Sequence, residues 1–163
     1  MGHAYSLAMA DLIVRGRPTL SGTVTPSGNK NAVLPILCAS LLTNEPVELS
    51  NVPQITDVQR LLAYFESLGS TIDWDTEAGT VRLDHSTLPA KGNPPPLPEG
   101  MRSSLLLLPV LLQRFGQVEV GSNTKGCSLG LREIDPHLEV LSALGAELEQ
   151  SNPIRLRLKE GFH

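Results

Sequence analysis

The chain repeats itself. Leu34-Pro35-Ile36-Leu37 recurs as Leu108-Pro109-Val110-Leu111, an offset of 74 positions. Val47-Glu48-Leu49-Ser50-Asn51 recurs loosely as Val118-Glu119-Val120-Gly121-Ser122-Asn123, starting at an offset of 71, and Leu68-Gly69-Ser70 recurs as Leu144-Gly145-Ala146 at 76. Matches in one order at nearly one spacing imply two copies of a single supersecondary unit. The offset grows between the second and third matches, so the second copy carries roughly five extra residues within 121–136. Insertions fall in loops, where repeated units diverge in function.

Each copy reads as helix, strand, helix, then strands. The first helix, about Lys30 to Leu42, is apolar nearly all round, as is its partner from Met101 to Gln113. A helix without a polar face is expected to be buried on all sides. The second helix of each copy is one-sided: Val58, Leu61, Leu62, Phe65 and Leu68 in one, and Ile134, Leu138, Leu141 and Leu144 in the other. Asp57 and Asp135 stand where helix caps belong, and Gly69 and Gly145 suit helix ends. Strands are expected at Leu12–Val14, Thr23–Thr25, Val47–Leu49, Thr71–Trp74, Val81–Leu83, Val118–Val120 and Ile154–Leu158. The copies are joined by Ser86–Gly100, five of whose fifteen residues are proline, which reads as a stiff, extended surface connector. The expected organisation is a leader or expression scar at 1–10, first strands at 11–25, and a first unit at 26–85. A connector at 86–100 and a second unit at 101–163 follow.

Composition narrows the class. The 163 residues are 40% hydrophobic and 18% charged, which fits a globular domain and excludes a disordered tail. The longest apolar stretch, Leu105–Leu112, is too short to cross a bilayer. A net charge of −4 argues against a nucleic-acid partner, and two cysteines without a signal-peptide pattern fit a reducing cytoplasm. The histidines are scattered and no CxxC spacing occurs, so a zinc site is not expected; nor does a phosphate-binding glycine fingerprint appear.

Chemistry concentrates at three places. Pro26-Ser27-Gly28-Asn29-Lys30-Asn31 leads into the first apolar helix. A lysine opposes the helix dipole there, so it is either a solvated side chain or a partner for an anionic ligand. Arg102 opens the partner helix in the same way, and two such cations point to one anion-binding pocket at the helix starts. The inserted stretch holds Cys127 between Gly126 and Gly130, with Lys125 and Arg132 nearby. Neighbouring cations lower a thiol pKa and make it nucleophilic, although a lone loop cysteine is commonly inert. Cys38, on the apolar helix, reads as a small hydrophobe.

Ser27 through Leu37, Met101-Arg102-Ser103-Ser104, Arg114-Phe115-Gly116, and Gly126-Cys127-Ser128-Leu129-Gly130 through Arg132 and Asp135 resemble the enolpyruvyl transferases. Within them they look like the UDP-N-acetylglucosamine 1-carboxyvinyltransferases, because the shikimate-pathway branch lacks the cysteine loop. The resemblance runs from about Asp11 to the C-terminus. It implies an α/β fold of repeated βαβαββ units, the inside-out α/β barrel lobe of that family, with two of three units present and the first strand belonging to the other lobe. The ligands it implies are phosphoenolpyruvate and UDP-N-acetylglucosamine, with no cofactor, no metal, and neither nucleic acid nor membrane as partner. A homo-oligomer or a complementing second lobe would be the protein partner.

Carried over by position, Cys127 matches the catalytic cysteine that protonates phosphoenolpyruvate. Lys30, Asn31 and Arg132 match its binding residues. Asn31, Arg102, Arg132, Glu133, Ile134, Asp135 and Pro136 match contacts to the UDP-sugar. The stretch Arg132-Glu133-Ile134-Asp135-Pro136 departs from the family's usual arginine, proline, valine, aspartate, leucine, and that leaves a different acceptor open. The family enzyme is more than twice this length, so the competing expectation is a partial lobe that folds, or oligomerises, without turnover.

Overall fold

The computed structural model describes residues 21–98, 101–120, 134–151 and 153–162, together with Ile13, Gly16 and Thr19. Among them lie helix α1 (Lys30–Ser40), strand β1 (Val47–Leu49), helix α2 (Thr56–Leu68), and the hairpin β2 (Thr71–Asp75) and β3 (Thr80–Asp84). The second series is a 3₁₀ helix (Arg102–Leu106) running into α3 (Leu107–Phe115), then β4 (Gln117–Val120), α4 (Asp135–Ala143), β5 (Ala146–Ser151) and β6 (Ile154–Leu158).

The repeat in sequence is a repeat in topology. The sheets are ordered β1-β3-β2 and β4-β6-β5, with every pairing antiparallel. In each, the last strand inserts between the first two, so the crossover helix spans a strand and covers one sheet face. One core serves both units: Leu37, Leu41, Leu61 and Phe65 of the first, and Leu107, Leu108, Leu111, Leu112 and Leu156 of the second, are wholly buried. This is the α/β architecture expected.

Several local expectations fail for identifiable reasons. Residues Thr23–Thr25 form no strand: no ladder among the described residues includes them, and Val24 is exposed. Leu12 and Val14 lie outside the described residues. Helix α1 is not buried on all sides, because Ala32, Pro35, Ile36 and Ala39 face outward while Val33, Leu34, Leu37 and Cys38 face the core. Asp57 and Asp135 sit in the first turns of α2 and α4 and are not their caps; Ile55 and Ile134 hold those positions and make no side-chain cap bond. The connector is not a surface strap. Leu88, Pro94 and Leu97 are buried, the Leu97 amide donates to the Glu119 carbonyl (3.2 Å), and Tyr64 Oη donates to the Pro95 carbonyl (2.8 Å). Strand β5 was not expected at all. Ala146-Glu147-Leu148-Glu149-Gln150-Ser151 has no β-branched residue, and pairing with β6 overrides that deficit. The Arg157–Glu149 ion pair lies across the two strands, and Lys159, just past the end of β6, pairs with Glu147.

A partly buried polar node joins the units. The Arg114 guanidinium, from the end of α3, donates to the carbonyls of Leu41 (2.6 Å), Thr43 (3.3 Å) and His85 (2.8 Å), and to Asn44 Oδ1 (2.7 Å). A cation there complements the negative end of α1, although burial lowers the pKa of the guanidinium. Beside it, His85 is fully buried and packs edge-on against Phe65, with ring centroids 5.5 Å apart. Ser40 donates its single hydroxyl proton to the Leu37 carbonyl (2.6 Å), so it accepts from His85 Nε2–H (2.9 Å). Nδ1 then accepts from the Ser70 hydroxyl (2.7 Å). Burial, reinforced by Arg114, pushes the His85 pKa down to about 4, so the ring is neutral at pH 7.

No helix among the described residues is long and apolar enough to cross a membrane.

Candidate functional site

The start of α1 is fixed from below by a glycine. A Cβ on Gly28 would stand 2.0 Å from the Asn51 carbonyl oxygen and 3.1 Å from Pro53 Cδ, so only glycine lets this turn lie against the loop that precedes α2. The close approach brings the first turns of two helices together. Asn29 caps α1, its Oδ1 accepting from the amides of Asn31 (2.8 Å) and Ala32 (3.2 Å).

Lys30 is the first residue of the helix, and its position against the dipole is compensated from within the chain. Its Nζ lies 2.6 Å from Asp57 Oδ2, and the same oxygen accepts from Ser103 Oγ at 3.2 Å. These three residues come from α1, α2 and the 3₁₀ helix. They border a groove of about 490 Å³ whose walls include Asn31, Met101 and His137. An apolar cleft of about 420 Å³ adjoins it, shares Leu105, Leu106 and His137, and continues along Pro136, Val140 and Leu144.

The groove brings together Lys30 and Asn31. The backbone of Arg102 lies between Met101 and Ser103, both groove residues, but its side chain is outside the described residues. Ile134 is buried in the core, Asp135 is exposed on the first turn of α4, and Pro136 lines the apolar cleft. Cys127, Arg132 and Glu133 lie outside the described residues. Of the two thiols, Cys38 is buried, and that burial pushes its pKa up to about 12, where the thiol is inert.

Three groove residues escaped the sequence reading as participants: Asp57, Ser103 and His137. Asp57 was legible in principle, since a lysine at a helix start calls for a carboxylate and Asp57 opens the next helix of the same unit. Ser103 and His137 carry no such signal.

The profile of the EPSP synthase family, described as 3-phosphoshikimate 1-carboxyvinyltransferase, matches residues 14–161. Among curated proteins, the chain is 42% identical over 144 residues to the UDP-N-acetylglucosamine 1-carboxyvinyltransferase of Acinetobacter baylyi, covering 88% of this chain and 34% of that protein. It is 40% identical over 154 residues to the protein of the same name from a Psychrobacter species, covering 94% and 35%. The chain thus spans about a third of the length of these relatives. Among solved structures, the enolpyruvyl transferase NikO from Streptomyces tendae superposes with a TM-score of 0.67 at 23% identity, covering 88% of this chain and 31% of that one. An EPSP synthase from Acinetobacter baumannii follows at 0.62 and 14%, covering 86% and 33%. At those identities the two structures speak for the fold alone.

Proposed function

The chain belongs to the EPSP synthase family of enolpyruvyl transferases, and from that premise we propose that it supplies part of one lobe of an enzyme acting on phosphoenolpyruvate and UDP-N-acetylglucosamine. The observation that carries this reading is the groove at the start of α1. There a half-exposed lysine ammonium and an asparagine stand together on one groove wall, side chains that can engage an anionic ligand. The names of the relatives at 40–42% identity support the choice of sugar nucleotide.

In the proposed reaction the Cys127 thiol protonates the methylene carbon of phosphoenolpyruvate. The 3-hydroxyl of the sugar attacks the adjacent carbon and loses its proton; the new methyl group then returns a proton to the thiolate as the C–O bond to phosphate breaks, and inorganic phosphate leaves with the hydroxyl's proton. Lys30 and Arg132 hold the phosphate through this sequence and Asn31 contacts both substrates. Arg102 and the stretch Glu133-Ile134-Asp135-Pro136 address the UDP-sugar. On this reading the product enters peptidoglycan precursor synthesis in the cytoplasm, serving cell-wall biogenesis, cell shape and division, and Cys127 is the residue fosfomycin alkylates. The lobe is completed by a second segment or another copy of the chain. Glu133 favours one variation, a different acceptor, because it adds a carboxylate to the stretch that would face a pyrophosphate.

Phosphate release tests the proposal. The chain alone is expected to release none from phosphoenolpyruvate with UDP-N-acetylglucosamine, and turnover by a clean sample would sink the partial-lobe reading. A chimera in which this chain replaces the matching third of the Acinetobacter baylyi protein is expected to restore release. A folded but inactive chimera would count against the substrates assigned.

A further inference from the structure

The charge at the start of α1 is already spent. The amides of Asn31 and Ala32 are taken by Asn29 Oδ1, the Val33 amide donates to the Asn29 carbonyl (3.0 Å), and the Lys30 ammonium rests on Asp57. An anion arriving in the groove therefore finds these backbone amides taken and must compete with Asp57 for the Lys30 ammonium. The Lys30 side chain is half exposed and flexible, whereas Asp57 is anchored in the first turn of α2, only a quarter exposed, and held by Ser103 as well. The mobile member of the pair is the cation.

We infer that Asp57 is an internal competitor for Lys30, a carboxylate that occupies the ammonium in the empty groove and that an incoming phosphate must displace. The inference rests on the reading of this groove as a phosphate-binding site. Such a competitor lowers the apparent affinity of every incoming anion by one factor, set by the fraction of time the ammonium is free. Asp57 is a positioning residue, acting on the ligand through Lys30.

The test titrates the isotopically labelled chain with inorganic phosphate, and separately with acetate, following the amides of Gly28–Ala32. The variants are Asp57→Asn, Asp57→Glu, Lys30→Ala and the double variant Lys30→Ala/Asp57→Asn, each checked for an unchanged amide fingerprint elsewhere. Asp57→Asn is expected to bind phosphate about two- to five-fold more tightly at low salt, the range an exposed ion pair commands. That gain should shrink as salt screens the pair, and acetate binding should rise as well, because freeing Lys30 serves either anion. Asp57→Glu should restore wild-type behaviour, and the gain should vanish in the double variant because it acts through Lys30. Equal or weaker phosphate binding by Asp57→Asn would overturn the competitor role while leaving the groove a phosphate site. A gain that persists without Lys30 would also overturn it. No phosphate-dependent shift in any variant would remove both the competitor and the phosphate site it rests on.

Discussion

The two repeat units share one topology and differ in how their first helices begin. In the first unit, Asn29 caps α1 with its side chain, and regular α-helical turns follow from Lys30. In the second, Met101 stands at the cap position and has no side-chain oxygen to offer. The helix there opens as a 3₁₀ segment whose short-range bonds, such as the Ser104 amide to the Met101 carbonyl (3.1 Å), satisfy the groups a cap would have taken. The crossover helices diverge as well. Helix α2 buries five side chains, whereas Leu141 is the buried residue of α4, where Val140 is 59% exposed. A shared strand order is thus compatible with unequal helix chemistry. The unit whose helix start is capped and ion-paired carries the groove's charged groups among the described residues.

The sharpest way to break the comparison is at Leu37 and Leu111, equivalent positions that are both wholly buried. Leu37→Ala and Leu111→Ala should each cost about 2–5 kcal/mol by urea unfolding, as buried leucine truncations do. A large inequality would mean that one unit carries the shared core. Acid should next separate the units, because His85 belongs to the first alone. Its pKa is pushed from 6.5 down to about 4, so the unfolded chain binds the proton first. The stability from keeping this ring neutral is full above pH 6.5 and is lost as pH falls toward 4, about 3 kcal/mol in all. Hydrogen exchange should accelerate in β2 and β3 before β5 and β6, and His85→Gln should flatten this dependence. Asn29→Ala removes a cap the second unit never had and should cost about 1 kcal/mol in thermal or chemical unfolding. Smallest, Val140→Ser on the exposed face of α4 should shift stability by no more than about 0.5 kcal/mol. Independently of stability, limited iodoacetamide followed by peptide mapping should label Cys127 well before Cys38, whose thiol burial holds near pKa 12. Fosfomycin should label Cys127 only slowly in the isolated chain.

The repeat and its helices were legible because apolar spacing reports burial directly, and the Leu-Pro-Ile-Leu echo set two helices in register. Burial was over-read where a helix is apolar all round. Ile36 is half exposed because a helix in contact with neighbours on one side still has another side, whatever its sequence. Strand β5 was illegible because its stability comes from the partner strand, which local propensity does not encode. The groove was half legible. A lysine at a helix start is a local anomaly visible in sequence, but its solution, Asp57, lies across a turn whose closeness depends on Gly28 and Asn51 meeting in space.

Arg114 imposes an order on synthesis. The carbonyl oxygens of Leu41, Thr43 and His85 wait for a guanidinium encoded 29 residues beyond His85. At ribosomal rates of about 5–20 residues per second, that is a delay of roughly one to six seconds after the first unit has been polymerised. During that interval the C-terminal end of α1 must remain hydrated. The nascent first unit therefore emerges with an open seam, and translation closes it only when the end of α3 leaves the exit tunnel. A stalled ribosome carrying the chain to just short of Arg114 would hold a unit more accessible to protease around residues 41–44 than one stalled far enough on for Arg114 to have left the tunnel.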